Sequence, residues 1–126
     1  VGPYKPPSKS FTVLVVEDEF LIAIDIRERL EAGGYEVIGP VATVAAALAI
    51  LEGQLPHACV LDVNLRGEHS APVARVLKEQ RVPFLLSSAH TQEMLDQYPA
   101  FEGVTNIGKP VSSKKLLSML ASLLKT

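Results

Sequence analysis

A chain of 126 residues is the length of a single domain and is large enough to close a hydrophobic core. Hydrophobic residues at 48% and charged residues at 21% are the balance of an ordinary soluble globular protein. A net charge of -2 argues against nucleic acid as a main partner, since duplex binding calls for a basic face, and the single Cys59 excludes an intrachain disulfide framework.

The N-terminal stretch carries Pro3, Pro6 and Pro7 among Ser and Lys, which marks residues 1–10 as a disordered lead-in or an expression remnant. Lys5 and Lys9 are followed by no apolar run of signal-peptide type. The longest apolar stretch, Val41 to Leu51, falls short of the roughly 18 to 20 residues of a spanning helix. No membrane association is expected, and a reducing cytoplasm is the default location.

Phe11 to Val16 is nearly continuous in β-branched and apolar residues, as in a strand buried on both faces. The period then changes: Ile22, Ala23, Ile26 and Leu30 share one helical face, and Gly33-Gly34 supplies the stop. Tyr35 to Ile38 reads as a second strand, closed by Gly39-Pro40. Thr43 is placed to cap a helix through Glu52, with Val44, Leu48 and Leu51 inward and Gly53 ending it.

Ala58 to Leu61 is the third strand, with Cys59 as core packing and Asp62 at its end. Ser70 is placed to cap a third helix with Val73, Val76 and Leu77 inward, Pro72 being tolerated in its first turn. Val82 to Ser87 is strand four, Thr91 to Tyr98 a fourth helix and Val104 to Ile107 strand five. Ser112 or Ser113 caps a last helix packed through Leu116, Leu117, Leu120, Leu123 and Leu124.

Five repeats of strand then helix argue for one parallel sheet with helices on both faces. In such a sheet the ligand site lies at the C-terminal strand ends, and here those ends carry Glu17-Asp18, Asp62, Ser88 and Lys109. Carboxylates at close range repel by about 4 kcal/mol per pair at intermediate dielectric. Lys109 offsets one charge and a divalent cation balances the remainder, so the set suits Mg2+ and a phosphoryl group.

These motifs, in register at the ends of strands one, three, four and five, resemble the receiver domain of two-component response regulators across residues 11–126. The resemblance implies a flavodoxin-like (βα)5 doubly wound sheet of order 2-1-3-4-5. It implies Asp62 as the phosphoacceptor, Lys109 as the phosphoryl-pairing lysine, and Ser88, followed by small Ala89, as the switch hydroxyl in preference to its rival Ser87. Mg2+ would be held directly by Asp18 and Asp62, through water by Glu17, and by the backbone carbonyl of Asn64. A cis Lys109–Pro110 bond is implied as well, and His90, two residues beyond Ser88, stands where the family controls water access.

The pattern departs from the family at Asn106, where an inward-turning Tyr or Phe is usual, at Val111 in place of Phe, and in the loop Asp62 to Gly67, which lacks the usual proline. Phosphorylation chemistry is untouched by these changes, but ring motion cannot be the relay. The implied function is a switch phosphorylated by a histidine kinase or histidine phosphotransfer protein, with no enzymatic activity beyond its own phosphorylation and dephosphorylation. The chain would be a monomer or weak dimer that signals to a downstream protein across helix four, strand five and helix five. It would act alone or as the receiver of a hybrid kinase or multidomain regulator, without touching nucleic acid directly. A small aspartyl-phosphate phosphatase is disfavoured because Asn64 stands where its second acid belongs. A flavodoxin-like cofactor binder is disfavoured because Glu17-Asp18-Glu19 would repel a cofactor phosphate.

Overall fold

Alternate residues of the first strand serve two different cores. β1 (Thr12–Val16) sends Val13 and Val15 into one apolar cluster and Leu14 and Val16 into another, which is why its sequence shows no polar alternation. The structure, a computed structural model, describes residues 10–124. Except for Ser10, the expected lead-in over residues 1–10 lies outside the described residues.

In chain order β1 is followed by α1 (Phe20–Ala32), β2 (Glu36–Val41), α2 (Val44–Gly53), β3 (Ala58–Leu61), β4 (Asn64–Leu65) and β5 (Glu68–His69). Then come α3 (Ala71–Glu79), β6 (Phe84–Leu86), α4 (Gln92–Leu95) and α5 (Ser113–Leu124). The main sheet runs β2-β1-β3-β6, all parallel. α1 and α5 cover one face through Ile26, Leu30, Leu116 and Leu120, and α2 and α3 cover the other through Ala47, Leu51, Val73 and Leu77. Leu116 and Leu120 are fully buried, and truncating either to alanine would cost about 2 to 5 kcal/mol. This is the doubly wound α/β architecture expected.

Several boundaries differ from expectation for identifiable reasons. β2 does not close at Gly39-Pro40 but runs through to Val41, with one extra residue opposite β1 between the Leu14 and Val16 pairings. Gly39 takes φ +90° at that irregularity, and Pro40 is tolerated because β2 is an edge strand. The loop after β3 holds an unexpected two-residue hairpin, β4 against β5, turned by Arg66 and Gly67 with φ of 52° and 80°. Positive φ at both central residues is the tight-hairpin geometry.

α4 covers only Gln92–Leu95 rather than Thr91 to Tyr98. Thr91 caps it through Met94 N–H, and Pro99 disfavours helical backbone at Tyr98. Thr43 caps α2 as expected, accepting from Ala46 N–H. Ser70 stands at the N-cap of α3 as expected but makes no side-chain cap bond; its hydroxyl turns back to donate to the carbonyl of Asp62. Ser112, not Ser113, caps α5, accepting from Lys115 N–H. Leu123 is 37% exposed, so the packed face of α5 is narrower than its leucines suggest.

The fifth strand is reduced to one parallel bridge, Leu86 with Asn106. Leu86 N–H donates to Thr105 O and Ile107 N–H to Leu86 O, but the next rung is taken by a side chain: Ser88 N–H donates to Asn106 Oδ1.

Candidate functional site

Parallel pairing of β1 with β3 matches Val16 to Leu61, so the residues that follow, Glu17 and Asp62, leave the sheet side by side. Asp62 N–H donates to Val16 O at 2.9 Å, which fixes that alignment. Glu17 and Asp62 are buried and Asp18 is half-buried. One oxygen from each of Glu17, Asp18 and Asp62 falls within 4.8 Å of the others. At about that spacing like charges repel by roughly 4 kcal/mol per pair at an effective dielectric of 20, so the cluster calls for positive charge.

Lys109 supplies part of it. Its Nζ lies 2.9 Å from Glu17 Oε1 and 3.2 Å from Asp62 Oδ2, on a side chain only 17% exposed. Burial pushes the Glu17 carboxyl up to about 7, against the opposing pull of the Glu19 N–H and of Lys109. Burial would depress the Lys109 ammonium, but its ion pair with Glu17 and the charge of Asp62 outweigh that and raise it. Burial likewise disfavours the Asp18 carboxylate, yet the Arg66 N–H and neighbouring donors hold it below the ordinary value.

Asp62 is held at both ends. Its Oδ1 accepts from Val63 N–H at 2.8 Å, its Oδ2 faces Lys109, and its carbonyl accepts from Ser70 Oγ at 2.6 Å. A cleft of ≈ 270 Å³ opens over it, lined by Asp18, Asn64, Ser88, His90 and Lys109 among others. All six expected site residues thus meet at one sheet edge. Glu17 lies beneath the cleft, and Asn64 is exposed at its rim on β4.

The donor set fits a hard divalent cation, which takes carboxylate, carbonyl and water oxygens. Glu17 Oε1 is buried and receives no hydrogen bond, only the charge of Lys109, so an oxygen there still lacks a full complement of partners. The Lys109–Pro110 bond is cis, as the resemblance implied, and so is Gly39–Pro40.

Ser88 and Ser87 are both buried, with different surroundings. Ser88 Oγ accepts from His90 N–H at 3.0 Å and lies 2.9 Å from His90 Nδ1. Ser87 Oγ has no partner among the described residues. Ser88 lines the cleft over Asp62 and Ser87 does not.

Three contributors were not found in the sequence. Arg66 N–H donates to Asp18 Oδ2 at 2.9 Å from the β4–β5 turn, a role carried by backbone geometry alone. Ser70, at the N-cap of α3, turns its hydroxyl to the Asp62 carbonyl instead of to the helix amides. The Asn106 carboxamide, noted only as a missing ring, bonds the main chain of Ser88, His90 and Gly108. An Arg-Gly pair following Asn64-Leu65 was the one available signal for the turn.

Comparison with known proteins agrees with this geometry. The family model of the response regulator receiver domain matches residues 13–121. The transcriptional regulatory protein PdtaR of Mycobacterium tuberculosis is 28% identical over 107 residues, which are 83% of this chain and 52% of PdtaR. The chain therefore spans about half the length of the curated relatives it matches. The BeF3-activated solution structure of SdrG from Pseudomonas melonis Fr1 is 36% identical, with a TM-score of 0.75, covering 90% of this chain and 95% of SdrG. The receiver domain of the sensor histidine kinase PA1611 from Pseudomonas aeruginosa shares the fold at 22% identity and TM-score 0.81, covering 94% of this chain and all of that one, with magnesium coordinated in its active-site cleft.

Proposed function

The chain belongs to the response regulator receiver domain family, and we propose that Asp62 accepts a phosphoryl group from a phosphohistidine on a histidine kinase or histidine phosphotransfer protein. The observation that carries this reading is the placement of Lys109 Nζ against both Glu17 and Asp62 within a cluster of three carboxylates. A purely structural gathering of acids at helix N-termini predicts the acidic pair but neither this half-buried lysine nor the Ser88 hydroxyl at the same cleft.

An Asp62 carboxylate oxygen attacks phosphorus, an O–P bond forms, and the N–P bond to the donor imidazole breaks. Asp18, Asp62, Glu17 through water and the carbonyl of Asn64 would hold Mg2+, which when bound neutralises charge on the transferring group. The magnesium in the PA1611 receiver supports that assignment. Lys109 moves its pairing from Asp62 Oδ2 to a phosphoryl oxygen, and Ser88 turns its hydroxyl onto another. Catalysis is positioning and charge neutralisation, and the reaction is confined to the chain's own phosphorylation and dephosphorylation.

Phe20 and Leu21 are 73% and 82% exposed at the start of α1, next to Glu19 at the cleft edge. An apolar step beside an acidic rim suits a helical phosphodonor whose histidine must reach Asp62, and supports docking there. Output passes to a downstream protein by surface contact from a monomer or weak dimer, with no direct nucleic-acid contact. Among the described residues no helix is long and apolar enough to cross a membrane; we place the domain in the cytoplasm, where its phosphodonor would be.

Incubation with a small phosphodonor and Mg2+, followed by intact-mass measurement, tests the reading. One phosphoryl group per chain is expected, lost in Asp62→Asn and on chelation. Undiminished labelling in either case would overturn it.

A further inference from the structure

We infer that Asn106 is a positioning residue that locks the Ser88 main chain and the Lys109 segment into one bracket, in place of a mobile ring. The inference rests on the phosphoacceptor reading of the site for its purpose, but its geometry stands alone. A carboxamide offers two acceptor lone pairs and two N–H donors, and Asn106 uses all four. Its Oδ1 accepts from Ser88 N–H at 3.0 Å and Gly108 N–H at 3.1 Å. Its Nδ2 donates to Ser88 O at 3.1 Å and His90 O at 2.8 Å. Exchanging the oxygen and nitrogen would set donors against donors and acceptors against acceptors at every contact, so the amide orientation is fixed by its partners.

The pair of bonds to Ser88 stands in for a strand rung. After Leu86 the parallel ladder has no backbone partner for Ser88, and the side chain supplies both the acceptor and the donor. The same group holds Gly108, the residue before Lys109. Ser88 and Lys109, from different segments, therefore keep their relative positions through one planar amide. Asn106 N–H extends the link, donating to Gln92 Oε1 at 3.0 Å, and Gln92 Nε2 donates to Val104 O at 2.8 Å. The bracket thus reaches the first turn of α4.

Leaving this position would orphan four backbone groups at once, so the residue is a fixed strut. Its contribution to phosphoryl binding then runs through the two segments it holds, those of Ser88 and Lys109, which makes it separable from general stability. Beryllofluoride serves as the phosphoryl mimic and Mg2+ alone as the control. Asn106→Asp keeps the shape and the acceptors but sets an oxygen against the carbonyls of Ser88 and His90. We expect it to weaken beryllofluoride binding about tenfold and Mg2+ binding less than twofold. In a Ser88→Ala background the same change should have a smaller further effect, only the part that runs through Lys109 remaining.

Equal loss for Mg2+, or full additivity with Ser88→Ala, would show a merely structural role and overturn the inference. Amide NMR of the ligand-free protein gives a second arm, in which the Ser88 and Gly108 N–H signals should shift together in Asn106→Asp. Unshifted signals overturn the bracket whatever the ligand does. If wild type failed to bind beryllofluoride, the phosphoacceptor reading would fall while the NMR arm still decided the bracket. Asn106→Ala, read in the same two ways, replaces the aspartate variant if that does not fold.

Discussion

Ser88 Oγ and His90 Nδ1 lie 2.9 Å apart, and the hydroxyl also accepts from the His90 N–H. In the tautomer with the imidazole proton on Nε2, Nδ1 accepts the hydroxyl proton, so the Ser88 donor is already engaged. Binding a phosphoryl group then requires that bond to break. A neutral hydrogen bond of this kind contributes about 0.5 to 1.5 kcal/mol. His90→Ala is therefore expected to tighten beryllofluoride binding by roughly 2- to 10-fold. The gain should vanish in Ser88→Ala, and fluorescence or NMR titration of the four proteins checks it. The same substitution, and replacement of exposed Asn64, should alter the lifetime of the phosphorylated state without abolishing labelling, read as loss of label over time.

Glu17 gives a pH dependence with a definite sign. Its folded value of about 7 lies above the ordinary 4.5, so between those limits the folded chain holds a proton that the unfolded chain has released. Stability then falls as pH rises through that window; the contribution is fully present below 4.5 and gone above about 7. In metal-free buffer, wild type should lose denaturation midpoint relative to Glu17→Gln across that range. Because the proton competes with a cation, Mg2+ affinity should rise over the same interval. Parallel pH profiles for the two proteins would reject the assignment.

The sheet and both cores were legible because buried parallel strands and amphipathic helices write themselves as period changes, as in Val13 to Val16 against Ile22 to Leu30. The site was legible because strand ends place Glu17, Asp62, Ser88 and Lys109 by topology alone. What escaped depends on local backbone geometry. A two-residue strand pair such as Asn64–Leu65 with Glu68–His69 is too short to show alternation, and Ser70 has the same helix-cap appearance whether its hydroxyl points forward or back to Asp62. The loss of the fifth strand could not be read either, because Asn106 replaces a backbone rung with a side chain.

Ser87 is expected to be a stability defect. Its hydroxyl is 1% exposed on the residue and meets no partner among the described residues. An unsatisfied buried hydroxyl costs about 1 to 3 kcal/mol. Ser87→Ala should raise the unfolding free energy read from urea titration by about 1 kcal/mol after the lost packing of Oγ is set against it, and leave beryllofluoride binding unchanged. Ser88→Ala should show the reverse pattern, with weaker binding and little change in stability. A binding defect in Ser87→Ala with normal binding in Ser88→Ala would exchange their roles.

The segment from Ala89 to Pro99 is expected to carry the response to the phosphoryl mimic. It holds only one short helix, Gln92–Leu95, and buries Leu95 alone, while Met94 and Tyr98 are 49% and 48% exposed. Few buried contacts mean a low cost of local opening. Its ties to the site are the Ser88–His90 contacts, the Asn106 Nδ2 bond to His90 O and the Gln92 bond to Asn106, so turning the Ser88 hydroxyl removes one anchor at its start. Hydrogen exchange with and without beryllofluoride should show altered protection from Ala89 to Pro99, with α2 and α3 unchanged. The Gln92→Ala variant should exchange faster there even without ligand. Changes confined to α1 and α2 would defeat the proposal and move the responsive surface to the opposite side of the sheet edge.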